Sequence, residues 1–200
     1  MKNIFVIYDT SCFYEIVILN YFMSVSGWDV LLCSLDGKAV RTMEGYLVNA
    51  DAALGDIRQE EIGSLIVPGG DISKIDREEL YVFLRELKER GVLIGGICAG
   101  VDLLEKAGIL EGVKTTHSAD LDIANDHKVI TARANAYVDF AIEVGKELGL
   151  FIDEADLNET VNFWKYHQRA EEIDAQHDKP GSKNAEAFLN SKANVIPGQE

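Results

Sequence analysis

The stretch Leu93 to Gly100 reads LIGGICAG, and its reading decides the fold. A run of β-formers reaches Gly95 and Gly96. Ile97, Cys98, Ala99 and Gly100 follow, and then an apolar segment of helical character that Gly108 closes. A strand, a sharp turn and a helix start are the setting of a nucleophile elbow, here in the form G-x-C-x-G. Glycines at 96 and 100 fit that setting, because strand and helix approach closely around the turn. A thiol at a helix N-terminus faces unpaired backbone N–H groups and the positive end of the helix dipole. Both favour thiolate, so the Cys98 pKa is expected below the free-cysteine value of about 8.5. The N–H of Ala99 is placed to hold an oxyanion. The competing reading makes Cys98 a small buried hydrophobe.

Working outward, short apolar runs alternate with helical segments. Ile4–Tyr8, Asp29–Ser34, Ser64–Val67 and Leu93–Ile97 read as strands, and Val113–Thr116 and Val129–Thr131 as shorter ones. Glu15–Ser26 reads as a buried helix. Arg77–Arg90 reads as a surface helix with Leu80, Phe83, Leu84 and Leu87 on one face, and Tyr137–Leu148 as a further helix. A small hairpin is expected around Met43, Glu44 and Gly45. Apolar strands separated by helices imply an α/β fold with a mainly parallel sheet covered on both faces. Reactive residues in such sheets gather at the carboxyl ends of the strands. Residues 1–150 form this domain. Residues 151–200 change in character and read as a C-terminal helical extension and tail packed on it, with Asp156 and Glu159 as ends of a capping box.

Composition narrows the function classes. The chain has 200 residues, 47% hydrophobic, with a net charge of −15. No basic run or stripe is present, which argues against nucleic-acid and anionic-membrane partners. No window approaches the roughly 20 apolar residues of a membrane span. Cys12, Cys33 and Cys98 are odd in number and lack a C-x-x-C pair, which argues against a disulfide framework or a zinc site. A cytoplasmic setting with free thiols, no metal and no cofactor is expected.

Four further positions bear on Cys98. Pro68-Gly69-Gly70 follows a strand directly, and Gly70 is a candidate second oxyanion donor; an ordinary turn is the alternative. Glu15 is a lone acid in apolar surroundings. It is either a charge that suits the start of a helix or a proton carrier with a raised pKa. His117 is a histidine expected at a strand end near the elbow, where a Cys–His pair would activate the thiol. Asp120 and Asp122 are candidates to orient it. Cys12 shares a loop with Glu15 and is a candidate to trap oxidised Cys98 as a disulfide.

Taken together, Phe5–Tyr8 leading to Glu15-Ile16-Val17-Ile18, Ile66–Gly70, Gly95–Gly100, Val113–His117 and Ile130–Arg133 resemble the ThiJ/PfpI superfamily, which is related to the class I glutamine amidotransferase fold. The resemblance covers roughly Lys2 to Leu150. It implies a flavodoxin-like three-layer sandwich, usually dimeric. By that resemblance Cys98 is the elbow nucleophile, Glu15 the acid sharing a proton with its sulfur, His117 the nearby histidine, and Gly70 and Ala99 the backbone donors. It also implies a cofactor-free cysteine enzyme, of glyoxalase, deglycase or amidase type, acting on a small carbonyl or amide-like substrate. The alternative is a redox-sensing stress or chaperone-like protein that uses Cys98 oxidation without turnover. Ala99 stands where protease-type members carry histidine, which weakens a peptidase reading. Ala134-Asn135 replaces a Gly-Pro pair, and the segment from Ser118 to Lys128 is short.

Overall fold

The computed structural model describes residues 1–117, 120–169 and 172. The chain divides into two units, Met1–Leu150 and Phe151–Glu200. The first is built on strands β1 (Lys2–Val6), β2 (Val30–Ser34), β5 (Ala52–Ala53), β6 (Ile62–Val67), β7 (Leu93–Ile97), β8 (Ile123–Asp126) and β9 (Val129–Ala132). They form one sheet in the order β5-β2-β1-β6-β7-β9-β8. Every pairing is parallel except the β8–β9 edge. Strands β3 (Val40–Arg41) and β4 (Leu47–Val48) make the separate hairpin expected around Glu44.

Helices α1 (Tyr14–Val25), α2 (Glu78–Glu89), α3 (Ala99–Lys106) and α4 (Tyr137–Leu148) complete the unit. Adjacent strand residues point to opposite faces of a sheet, and β7 shows which helix covers which face. A Cβ at Gly95 would sit 2.7 Å from Ile66 Cδ1 and 2.9 Å from Phe140 Cζ of α4. A Cβ at Gly96 would sit 2.6 Å from Leu104 Cδ1 of α3. Thus α4 lies on one face and α3 on the other. Helix α1 packs with α4, and α2 with α3, which gives the three-layer α/β sandwich. Ile4, Phe5, Val6, Leu65, Ile66 and Ile94 are fully buried in the central strands. Burial of each such side chain contributes about 1.5–3 kcal/mol.

Chain order reverses beside β1, whose neighbours are β2 on one side and β6 on the other. The crevice outside the carboxyl ends at such a switch point is where α/β sheets bind ligands. The segments leaving β1, β6 and β7 carry Glu15, Gly69 and Cys98 respectively.

Two expectations are corrected, and one strand was not anticipated. Val113–Thr116 forms no strand. The Lys114 N–H donates to Asp126 Oδ2 at 2.8 Å and the Thr116 N–H to Thr131 Oγ1 at 3.0 Å, so side chains take the place of a ladder. The edge strand is instead β8, whose sequence IAND contains few β-formers and pairs antiparallel with β9. In the second unit, helix α5 (Glu154–Trp164) begins before the expected capping box: Asp153 is the N-cap, its carboxylate accepting the Asp156 N–H at 2.9 Å. Residues 173–200 of the expected extension and tail, and the loop residues Ser118 and Ala119, lie outside the described residues.

Candidate functional site

Cys98 joins β7 to α3 with φ 56° and ψ −131°, a positive φ that a side-chain-bearing residue rarely adopts. Such strain persists only where the surroundings fix it. The Cys98 N–H donates to Ala132 O at 3.0 Å, and its carbonyl accepts the Val101 N–H at 3.0 Å. Gly100 lets the helix start lie against β6, since a Cβ there would collide with the Val67 carbonyl oxygen.

The thiol and the acid meet over Gly69. A Cβ at Gly69 would lie 2.7 Å from Cys98 Cβ, 2.8 Å from Cys98 Sγ and 3.0 Å from Glu15 Oε2. Glu15 is 1% exposed. Its Oε2 accepts the Gly69 N–H at 2.7 Å, while Oε1 is buried without a hydrogen-bond partner among the described residues. Burial pushes the Glu15 pKa up, against the opposing pull of the Gly69 N–H, Cys98 and Tyr14. An acid held this way keeps its proton to unusually high pH.

The Cys98 thiol is also pushed up, first by burial and then by the Glu15 carboxylate, with the Ala99 N–H pulling the other way. This corrects the expected low pKa. A helix dipole is worth about 0.3–1 kcal/mol, and here it is outweighed by desolvation and a neighbouring carboxylate. The carboxylate's share of that opposition disappears when Glu15 is protonated, while the larger share from burial remains. The two groups therefore titrate as one pair sharing a proton.

Glu15 gives a stability test with a definite sign. The folded chain holds a proton that the unfolded chain releases above the ordinary glutamate value of about 4.3. Stability therefore falls as pH climbs from there toward the raised folded value, and the loss persists above it. Glu15→Gln is neutral at every pH and keeps an acceptor for the Gly69 N–H. Its Tm gain over wild type is expected to be absent at pH 4 and to reach about 2–4 °C at pH 8, for roughly 1 kcal/mol. A Tm difference that did not change with pH would refute the assignment.

The remaining candidates are placed as follows. The Ala99 N–H is directed at the Cys98 sulfur. Gly70 has φ +134°, and its N–H has no hydrogen-bond partner among the described residues. His117 lies on the outer side of α3. Its Nε2 is 3.5 Å from Asp102 Oδ1 and its Nδ1 3.5 Å from Glu105 Oε2. Asp120 and Asp122 do not orient it: both face Arg133, Asp120 at 2.5 Å and Asp122 at 3.7 Å. Cys12 donates its N–H to Gly69 O at 2.8 Å, so it does lie beside the site. Burial, with Glu15 and Cys98, pushes its thiol up to about 11, which leaves little thiolate for attack on an oxidised Cys98.

Asp102, Glu105 and His117 bring one ligand atom each within 4.8 Å of one another, the one such cluster among the described residues. All three are exposed, and the imidazole–carboxylate pairs account for the grouping. The reading from sequence passed over Gly69, whose N–H holds Glu15, and Glu44, whose Oε1 accepts the Tyr14 N–H at 2.9 Å and so caps α1 from the hairpin. The adjacency of Gly69 to Gly70 was the available signal for the first. Nothing local marks the second, which lies 30 residues from its partner.

Residues 1–147 match the sequence model of the DJ-1/PfpI family. Deglycase TK1284 of Thermococcus kodakarensis is 30% identical over 103 residues, 50% of this chain and 62% of the relative. The glutathione-independent glyoxalase DJR-1.2 of Caenorhabditis elegans is 29% identical over 105 residues, 52% of this chain and 56% of the relative. The chain thus spans less than two thirds of the length of these curated relatives. Among solved structures, the DJ-1 superfamily protein Atu0886 of Agrobacterium tumefaciens superposes with a TM-score of 0.74 at 26% identity, covering 84% of this chain and all of that one (100%). The thiJ/pfpI family protein of Bacillus anthracis, 22% identical, shares the fold with a TM-score of 0.76, covering 88% of this chain and 94% of that one.

Proposed function

The chain belongs to the DJ-1/PfpI family, and from that premise we propose that it is a cofactor-free cysteine enzyme acting on small reactive carbonyls, with Cys98 as nucleophile and Glu15 as proton carrier. The observation that carries this reading is the convergence of Cys98 Sγ and the buried, proton-retaining Glu15 over Gly69. The relatives named deglycase and glyoxalase support a carbonyl over an amide substrate.

With an α-oxoaldehyde, the sulfur forms a C–S bond to the aldehyde carbon and the carbonyl electron pair moves to oxygen. The N–H groups of Ala99 and Gly70 stabilise that charge. Glu15 supplies the proton that completes a hemithioacetal. Glu15, now a carboxylate, takes the hydrogen on that carbon as a proton and returns it to the neighbouring carbonyl carbon, while the hydroxyl proton passes to the neighbouring oxygen. The result is a thioester, with no net oxidation. Water cleaves the thioester, which releases a 2-hydroxy acid and restores the thiol. His117 is paired with Asp102 and Glu105 and has no step in this sequence. The test is methylglyoxal turnover by the purified chain, compared with Cys98→Ala. No Cys98-dependent turnover would overturn the reading.

The partners in this reading are a small-molecule substrate and a second copy of the chain. Exposed Val17 and Tyr21 on α1, and Tyr46 and Leu47 on the hairpin, supply apolar surface for the second copy. A reducing, cytoplasmic setting suits three free cysteines. Among the described residues no helix is long and apolar enough to cross a membrane.

A second reading, redox sensing through Cys98, is favoured by accessibility. Cys12 and Cys33 are buried and each is pushed up to about 11, first by burial, whereas Cys98 is half-buried. Two equivalents of peroxide convert the thiol to a sulfinic acid and two waters. Mass spectrometry after mild peroxide is expected to find that product concentrated at Cys98. Equal oxidation at all three cysteines would remove the basis for a sensor.

A further inference from the structure

Tyr8 stands just beyond the end of β1 and has no role in the chemistry above. It is 3% exposed, and its ring belongs to the buried core with Val6, Val67 and Leu104. Its hydroxyl donates to the Pro68 carbonyl oxygen at 2.9 Å. The other edge of that same peptide is the Gly69 N–H, which donates to Glu15 Oε2 at 2.7 Å. The peptide is trans, so its carbonyl and N–H point in opposite directions. One peptide unit therefore stands between a buried phenol and the acid of the site, hydrogen-bonded to each.

The crowding of the site leaves this peptide in need of an anchor. Position 69 takes only glycine, since a Cβ there would lie 2.7 Å from Cys98 Cβ and 2.8 Å from Cys98 Sγ. Glycine leaves the backbone free to turn, and Pro68 fixes only its own φ. Unanchored, the peptide between them can turn over and carry its N–H away from Glu15. The next peptide is held by main chain, the Cys12 N–H donating to Gly69 O at 2.8 Å. The Pro68–Gly69 peptide depends on a side chain instead, the Tyr8 hydroxyl. A donor on the carbonyl also polarises the amide and strengthens the N–H on its far edge. Burial, then Cys12, Glu15, Cys98 and Asp71, push the Tyr8 pKa up, so the hydroxyl keeps the proton it donates.

We propose that Tyr8 is a positioning residue: by holding the Pro68 carbonyl, its hydroxyl keeps the Gly69 N–H aimed at Glu15, the proton carrier of the site. This rests on the proposed function for the role of Glu15, and on the two hydrogen bonds for the geometry. The consequence has a definite sign. Burial raises the Glu15 pKa, and the Gly69 N–H is the largest pull against it, ahead of Cys98 and Tyr14. Loosening that N–H takes stabilisation from the carboxylate, so Glu15 keeps its proton to higher pH. Cys12, Tyr14, Glu44 and Cys98 also face Glu15, and Asp102 faces Cys98. Removing the Tyr8 hydroxyl leaves all of these side chains in the sequence.

The test reads Glu15 without substrate. The NMR signal of its carboxyl carbon, identified by its loss in Glu15→Gln, is followed against pH in wild type, Tyr8→Phe and Tyr81→Phe. Tyr8→Phe keeps the ring in the core and removes the hydroxyl. Tyr81→Phe removes a hydroxyl that donates to Asp76 instead. The Glu15 midpoint is expected about one pH unit higher in Tyr8→Phe, because a hydrogen bond to a charged group is weakened, and unchanged in Tyr81→Phe. The Gly69 amide of wild type is expected to exchange with solvent as slowly as that of Ile66 in the β6–β7 ladder, and faster in Tyr8→Phe. A Glu15 midpoint unmoved in Tyr8→Phe, or moved equally in Tyr81→Phe, would overturn the inference. So would a wild-type Gly69 amide that exchanges as fast as an open loop amide, a result that stands even if Tyr8→Phe does not fold. Each of these outcomes leaves the proposed function intact. A chain that fails to turn over methylglyoxal would overturn the proposed function, while the Glu15 and Gly69 readings would still decide whether Tyr8 holds the peptide.

Discussion

Alanine at Cys98 is expected to lower methylglyoxal turnover by at least about 10³-fold, with the fold retained. Removing a covalent nucleophile costs far more than removing one oxyanion donor, because the remaining groups act only through it. The elbow is held through the backbone of residue 98, and alanine keeps both that backbone and the Cβ, removing only the sulfur. The Cβ lies 2.7 Å from where a Gly69 Cβ would be. The strained φ of 56° is carried by the backbone bonds to Ala132 and Val101, which do not depend on sulfur. The variant's Tm is therefore expected within a few degrees of wild type, since the Ala99 N–H contact to the sulfur is the one backbone interaction removed. Removing the sulfur also frees Glu15 from sharing its proton, so the pH dependence of stability is expected to remain and to follow Glu15 alone. Turnover within tenfold of wild type would exclude Cys98 as nucleophile.

What could be read from the sequence follows the range of the interactions involved. LIGGICAG encodes its own structure. The strand, the turn and the helix start are contiguous, and the glycines at 95, 96 and 100 mark contacts with Phe140, Leu104 and Val67. The parallel sheet was equally legible, because a strand buried on both faces leaves an uninterrupted apolar run. Strand β8 was not, because an edge strand needs only one partner, and Ile123–Asp126 is held by β9 rather than by its own propensity. Val113–Thr116 shows the converse: β-forming residues whose N–H groups found side-chain acceptors instead of a ladder. At the site, Glu15 was legible as a lone acid in an apolar segment. The sign of the Cys98 shift was not. The helix dipole belongs to the local sequence, but the burial and the carboxylate that outweigh it come from 83 positions away and exist only in the folded chain. For the same reason, neighbouring residues in sequence suggested Asp120 and Asp122 as partners of His117, whereas helix α3 presents Asp102 and Glu105 to it.

The other large effect is structural and falls at Gly100. Gly100 is buried in the first turn of α3, and a Cβ there would run into the Val67 carbonyl, with Val67 C at 2.9 Å and Pro68 O at 3.0 Å. These are backbone atoms of β6 and its exit loop, not the ends of flexible side chains. Val67 is paired with Gly96 in the β6–β7 ladder, so it cannot retreat without breaking the register that holds the elbow. Helix α3 has no freedom to move instead, because Leu103 and Leu104 are fully buried against the sheet. Gly100→Ala would ordinarily stabilise a helix by up to about 1 kcal/mol. Here overpacking against fixed backbone costs more, and a net loss of about 2–4 kcal/mol is expected. In a unit of this size that lowers Tm by roughly 5–15 °C. Gly112, with nothing within 4 Å of its Cβ position but φ +72°, is the informative comparison. Gly112→Ala meets only the cost of a left-handed backbone, about 1–2 kcal/mol, and leaves the elbow untouched. If strand–helix contact at Gly100 fixes Cys98, Gly100→Ala should also slow Cys98 alkylation in the fraction that remains folded, whereas Gly112→Ala should not. Equal Tm losses and unchanged alkylation in both would show that the close approach at Gly100 does not hold the nucleophile in place.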